Sequence, residues 1–179
     1  MEASWCGFKI ENTMKKFFAL LCLVFAVSAA SAQQLPDVRI ENAQGKVVSV
    51  RELANGKPMI ISYWSIACKP CIQELNAIND ALADWRKEAD LEVVAVSVDD
   101  ARLKATAKAV ASSRGWEFIC LFDENQELKR AMNVSLTPQA FVVDGEGNII
   151  YSHSGYTPGS EEELFDKILE LKKGQKKNK

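Results

Sequence analysis

Apolar residues gather in short runs separated by polar, turn-rich stretches, and two of these runs are nearly continuous. Pro58–Trp64 (PMIISYW) and Leu91–Val98 (LEVVAVSV) have the pattern of strands covered on both faces. Between them the period changes. After Pro70, the residues Cys71, Leu75, Ile78, Leu82 and Trp85 recur at steps of four and three, which marks one face of a helix reaching to about Glu88. Asp99-Asp100 stands ahead of Ala101–Arg114 and predicts a capped helix over that stretch. Glu117–Phe122 predicts a further strand and Asn125–Met132 a short helix. Alternation on either side of Gln44-Gly45 predicts a hairpin over Val38–Val50, and QAFVVD and NIIYSH about Gly145-Glu146-Gly147 predict a second one. Ser160–Lys173, opened by a serine and three glutamates, predicts a closing amphipathic helix, with residues 174–179 as a disordered tail. This order is that of an α/β fold with a mixed central sheet and helices on both faces.

The first 32 residues read as a processing signal. Met14-Lys15-Lys16 is a positive start, Phe17–Val27 is an unbroken apolar run, and Ala30-Ser31-Ala32 is a small-x-small cleavage site. The run is shorter than the ~20 residues a membrane span needs and no stop-transfer charges follow, so the expectation is export with cleavage and no stable membrane insertion afterwards. Residues 1–13 precede that start, and Met14 is the expected initiator. Cys22 lies in the middle of the apolar run rather than after a small residue at its end, which argues against lipid anchoring. The remaining domain, residues 33–173, is long enough to bury about two thirds of its unfolded surface, so it needs no disulfide to fold. From Gln33 onward there are 19 basic and 22 acidic residues. That near balance gives no reason to expect a nucleic-acid partner.

Three cysteines survive cleavage: Cys68, Cys71 and Cys120. The C-x-x-C of Cys68 and Cys71 falls where a buried strand gives way to a helix, so the first sulfur meets unpaired N–H groups and the positive end of the dipole. Cys68 is then the nucleophile, and Cys71, one turn in and more buried, the resolving thiol. Pro70 suits the first turn, where its missing N–H costs nothing. A metal site would need a second C-x-x-C or spaced histidines, whereas only Cys120 and His153 are on offer. A purely structural bridge over so short a loop adds little stability. Glu74 is placed one turn below Cys71. Spacing alone allows it to be the acceptor of that thiol's proton or an ordinary first-turn glutamate. Thr137-Pro138 opens a strand, a setting in which a cis bond is a candidate. Cys120, in an apolar strand, is expected to be inert, and His153 to be a surface residue.

WSIACKPC, TPQAFVVD and the element order resemble the thioredoxin fold, specifically the exported TlpA-like or ResA-like thiol:disulfide oxidoreductases. The resemblance covers nearly all of Leu35–Lys173, with Val38–Val50 as the N-terminal hairpin and Ala101–Phe122 as the central insert. It implies Cys68 as exposed nucleophile, Cys71 as resolving cysteine and Trp64 as the flanking aromatic. It also implies Thr137 and Pro138 as the threonine and cis-proline that hold the substrate chain, and it favours Glu74 as an active-site glutamate. Ser62 replaces the buried aspartate usual in thioredoxin, Ala67 a common tryptophan, and Asn76 a helix-kinking proline. The implied activity is exchange with protein thiols and disulfides, as a reductase, in the periplasm or another extracytoplasmic space. Apocytochrome cysteines in cytochrome c biogenesis are one implied substrate. A membrane-embedded electron donor is implied as partner, and no cofactor or metal. A peroxiredoxin-type thiol peroxidase would require a proline and a threonine where Ile61 and Ser65 stand. A redox-silent module that binds peptides beside Pro138 is the alternative from outside the enzymes.

Overall fold

The computed structural model describes residues 33–177, with side chains described to residue 174; the processing signal expected over residues 1–32 lies outside the described residues. Seven strands form one sheet in the order β2-β1-β5-β4-β3-β6-β7. They are β1 (Arg39–Asn42), β2 (Val47–Ser49), β3 (Met59–Trp64), β4 (Glu92–Ser97), β5 (Ile119–Phe122), β6 (Gln139–Val143) and β7 (Ile149–Ser154). The helices are α1 (Lys69–Glu88), α2 (Lys104–Ser113), α3 (Glu127–Ala131) and α4 (Glu161–Lys177). β3, β4 and β5 run parallel, as crossover helices require, and the hairpins β1-β2 and β6-β7 add antiparallel strands at the two edges. The expected mixed α/β sheet is therefore present.

β3 lies at the centre, and all six of its residues are buried. Its two faces feed different cores. Met59, Ile61 and Tyr63 join Leu35, Leu121, Leu128 and Phe141 on the α3 side. On the other, Ile60 packs with Leu82, Trp85, Leu164, Phe165 and Ile168, which joins α1 to α4. The Trp85 and Phe165 rings stack with centroids 4.8 Å apart. Trp64 continues this face toward α2, packing with Cys71, Leu75, Ala107 and Trp116. Glu41 of β1 holds the Lys104 and Lys108 ammonium groups at 2.9 and 2.5 Å, fastening the central insert to the N-terminal hairpin.

Two boundaries differ from the periodic reading. Asp100 does accept backbone N–H groups, from Arg102 and Leu103, but these close a turn. α2 starts only at Lys104 because the carboxylate is used one turn earlier. At the other end, α4 continues to Lys177, so residues 174–177 are helical instead of part of a disordered tail. Gly174 does not take the left-handed conformation that ends helices, and lysines near a C-terminus are favoured by the dipole.

Candidate active site

At the end of β3 the chain leaves the sheet through Ser65-Ile66-Ala67 and turns into α1. The turn is tied down from two sides. Cys68 N–H donates to the Ser65 carbonyl at 3.0 Å, and Ile66 N–H donates to the buried carboxylate of Asp99 at 3.0 Å. Asp99 also accepts the Ser97 hydroxyl at 2.9 Å, so the end of β4 fixes the loop that carries the cysteines. The sequence pattern had marked Asp99 only as part of a helix cap.

Cys68 is the N-cap residue of α1, and its sulfur accepts the Cys71 N–H at 3.3 Å. This is the geometry in which a thiolate is stabilised by the helix end. The two cysteines form a disulfide with their Cα atoms 5.3 Å apart. Cys68 is half-buried while Cys71 has no exposed surface, so an approaching thiol reaches Cys68 first. Pro70 sits in the first turn as its missing donor allows.

Beneath the disulfide, Trp64 is fully buried and meets Trp116 edge to face at 5.0 Å. Trp64 thus flanks Cys71 from within the core and offers no exposed surface for the substrate contact that the resemblance implies. Its indole fills the core under Cys71 because β3 points it inward toward α2. Trp116 in turn donates its ring N–H to Asn76 at 2.9 Å, and α1 runs unbroken past that position.

Glu74 has no exposed surface either, and it accepts the Ser62 hydroxyl at 2.6 Å. It is thus no ordinary first-turn glutamate facing solvent. Burial pushes its carboxyl above the usual range; the Ser62 hydrogen bond and charge on His153 pull against this, and Glu161 adds to it. Comparison with thioredoxin shows Ser62 only as a replacement for aspartate, whereas a hydroxyl inside an otherwise apolar, doubly covered strand is the signal that marks it. His153, expected at the surface, is half-buried, with its side chain 18% exposed. β7 turns Tyr151 and His153 to its inner face and Ser152 and Ser154 outward. Cys120 is a free, buried thiol, and burial pushes it up to about 11.

The Thr137-Pro138 peptide bond is cis. Tyr63 pairs with Gln139 in the β3-β6 ladder, so this bond lies at the end of the sheet where the chain departs for Cys68. Pro138 is buried and Thr137 half-buried, while Leu136 just before them is 78% exposed. Ala67 is exposed on the cysteine loop at the same end. Cys68, Cys71, Glu74, Thr137 and Pro138 therefore gather at one end of the sheet.

Residues 30–169 match the Redoxin family. The thiol:disulfide interchange protein DsbE of Tatumella citrea is 30% identical over 130 residues, covering 72% of this chain and 67% of that protein. Thiol-disulfide oxidoreductase ResA of Bacillus thuringiensis (strain Al Hakam) is 24% identical over 118 residues, covering 66% of each. The chain thus spans just under two thirds of that relative's length. Among solved structures, an uncharacterized thioredoxin-like protein from Porphyromonas gingivalis is 48% identical with a TM-score of 0.69, covering 76% of this chain and 90% of that one. The chain belongs to the Redoxin family and, within the thioredoxin superfamily, groups with the ResA- and DsbE-type proteins.

Proposed function

We propose that the protein is an exported thiol:disulfide oxidoreductase that reduces disulfides in other proteins by cycling the Cys68–Cys71 pair. The observation that carries this reading is the asymmetry of the pair: one sulfur is accessible at a helix N-terminus, and the other is sealed in the core one helical turn from a buried carboxyl group. In the reduced protein the Cys68 thiolate attacks a substrate disulfide, forming a Cys68 mixed disulfide and releasing one substrate thiolate. Cys71 then gives its proton to the Glu74 carboxylate. The resulting Cys71 thiolate attacks the Cys68 sulfur, restoring the internal disulfide and releasing the second substrate thiolate.

Thr137 and Pro138 are assigned to holding the extended substrate chain beside Cys68, with Leu136 and Ala67 as an open apolar rim. Apocytochrome cysteines and mis-oxidised proteins are the substrate class that the family resemblance favours. An electron donor embedded in the membrane would return the pair to its dithiol form. Export rests on the pattern of residues 14–32, with release of the mature chain at Gln33 into the periplasm or an equivalent space.

The test is a trap. Cys71→Ser, expressed in the native compartment, should accumulate covalent adducts through Cys68 that reductant dissolves and that Cys68→Ser never forms. No adducts, together with a wild-type disulfide that does not turn over under reductant titration, would leave only a redox-silent peptide-binding module.

A further inference from the structure

The carboxyl group of Glu74 has no exposed surface, so a proton it takes from Cys71 needs a way out to solvent. The sheet register supplies one. Ser62 in β3 pairs with Ala140 in β6, and Ala140 pairs with His153 in β7. Residues opposite each other in antiparallel strands point to the same face. Ser62 and His153 therefore stand on one face of the sheet, with only the methyl group of Ala140 between them, and Glu74 reaches down onto Ser62 from α1 on that face.

Four buried polar atoms among the described residues lack a partner: the Tyr63 hydroxyl, Nε1 of Trp64, Oε1 of Glu74 and Nε2 of His153. Glu74 and His153 are the titratable pair of opposite sign among them, and the charge of His153 bears on the Glu74 carboxyl group. The other ring nitrogen of His153, Nδ1, lies 4.0 Å from Oε2 of Glu163, whose side chain is 52% exposed on α4.

We propose that His153 is the proton-exchange partner of Glu74, passing a proton between the buried carboxyl group and Glu163 at the surface. This rests on the disulfide-exchange reading above. After Cys71 has protonated the Glu74 carboxylate, Nε2 of His153 takes that proton. The products are a Glu74 carboxylate and an imidazolium, whose Nδ1–H faces the Glu163 carboxylate. Release of one proton to solvent returns the neutral ring. The reverse sequence returns a proton to Cys71 when the disulfide is reduced. Histidine suits the position because its ordinary titration range straddles neutrality, and this chain has one histidine.

The neighbouring charges are few. Glu161 and Tyr156 face Glu74 from the start of α4 and the loop before it. The Glu163 carboxylate pushes the Tyr151 hydroxyl above its usual range, and Lys167 Nζ lies 5.8 Å from the centre of the Tyr151 ring. When ionised, His153 acts on Glu74 as an opposite charge, and the Glu163 carboxylate stands 4.0 Å from Nδ1 of the same ring.

With a single histidine, the two imidazole nitrogen signals of the intact protein need no assignment and report by NMR which ring nitrogen holds the proton. In Glu74→Gln that pattern should change at neutral pH, because the carboxyl group that exchanges a proton with Nε2 has gone. Glu163→Gln, an exposed change, should alter it from the Nδ1 side. In parallel, resolution by Cys71 is timed on the mixed disulfide formed with oxidised glutathione. In His153→Gln resolution should slow roughly tenfold at neutral pH and its acid limb should move upward, with the first attack by Cys68 as the internal comparison. Imidazole nitrogen signals in Glu74→Gln that match those of wild type would overturn the pairing. A wild-type pH profile for resolution in His153→Gln would overturn the relay. Should wild-type protein exchange no disulfide with glutathione, the oxidoreductase reading falls, while the imidazole signals still decide whether the two residues are coupled.

Discussion

A glutamate three residues after a cysteine is unremarkable on paper; with no exposed surface and a hydroxyl from another element bonded to it, it acquires a distinct energetic signature. Burial is the largest influence on Glu74 and raises its carboxyl above the ordinary range. A group whose folded-state value is raised contributes stability that is complete below its unfolded value and is lost as pH rises through the folded one. Glu74→Gln keeps the shape and an acceptor for Ser62 but has no proton to lose. The variant should therefore gain thermal stability relative to wild type as pH rises above the ordinary carboxylate range, and the two should converge toward the acid end. Parallel melting curves across that range would show that ionising Glu74 costs the fold nothing. At the same scale, the burial of Cys120 was legible from its apolar strand. The inward turn of Trp64 was not legible, because a strand covered on both faces gives no polar alternation from which to read direction.

Element by element, local pattern sufficed wherever the signal was periodic and long. Both continuous apolar runs are strands, and the four-and-three spacing from Cys71 to Trp85 is the buried face of α1, with Glu74 added to it. Ends were less legible, since a carboxylate such as that of Asp100 can close a turn or cap a helix with the same sequence. Asp99 belongs to this scale because it joins the end of β4 to the loop ahead of α1. Asp99→Ala strands the Ile66 N–H and should cost ~1–3 kcal/mol in chemical denaturation. Hydrogen exchange at the Ile66 amide should quicken with it. An amide that stays as protected as in wild type would show that the cysteine loop holds its shape without β4.

For the molecule as a whole, Gln33 and Leu35 are already held in the fold. The Gln33 carbonyl accepts the Ile149 N–H at 2.8 Å, Leu35 N–H donates to the Gly147 carbonyl at 2.9 Å, and the Leu35 side chain is 1% exposed. Cleavage after Ala32 would leave each of these contacts intact. N-terminal sequencing of protein recovered from outside the cytoplasm should start at Gln33, and a recovered chain that still carries Phe17–Val27 would contradict release by cleavage. Element order, the two hairpins and a C-x-x-C at a strand-to-helix junction were all readable along the chain, because each depends on neighbours within a turn or a few strand residues. The company kept by Glu74 was not. Ser62 meets it, and the charge of His153 reaches it, through the lateral register of β3, β6 and β7 and the seating of α1 upon them, which packing across the sheet decides rather than spacing along the chain.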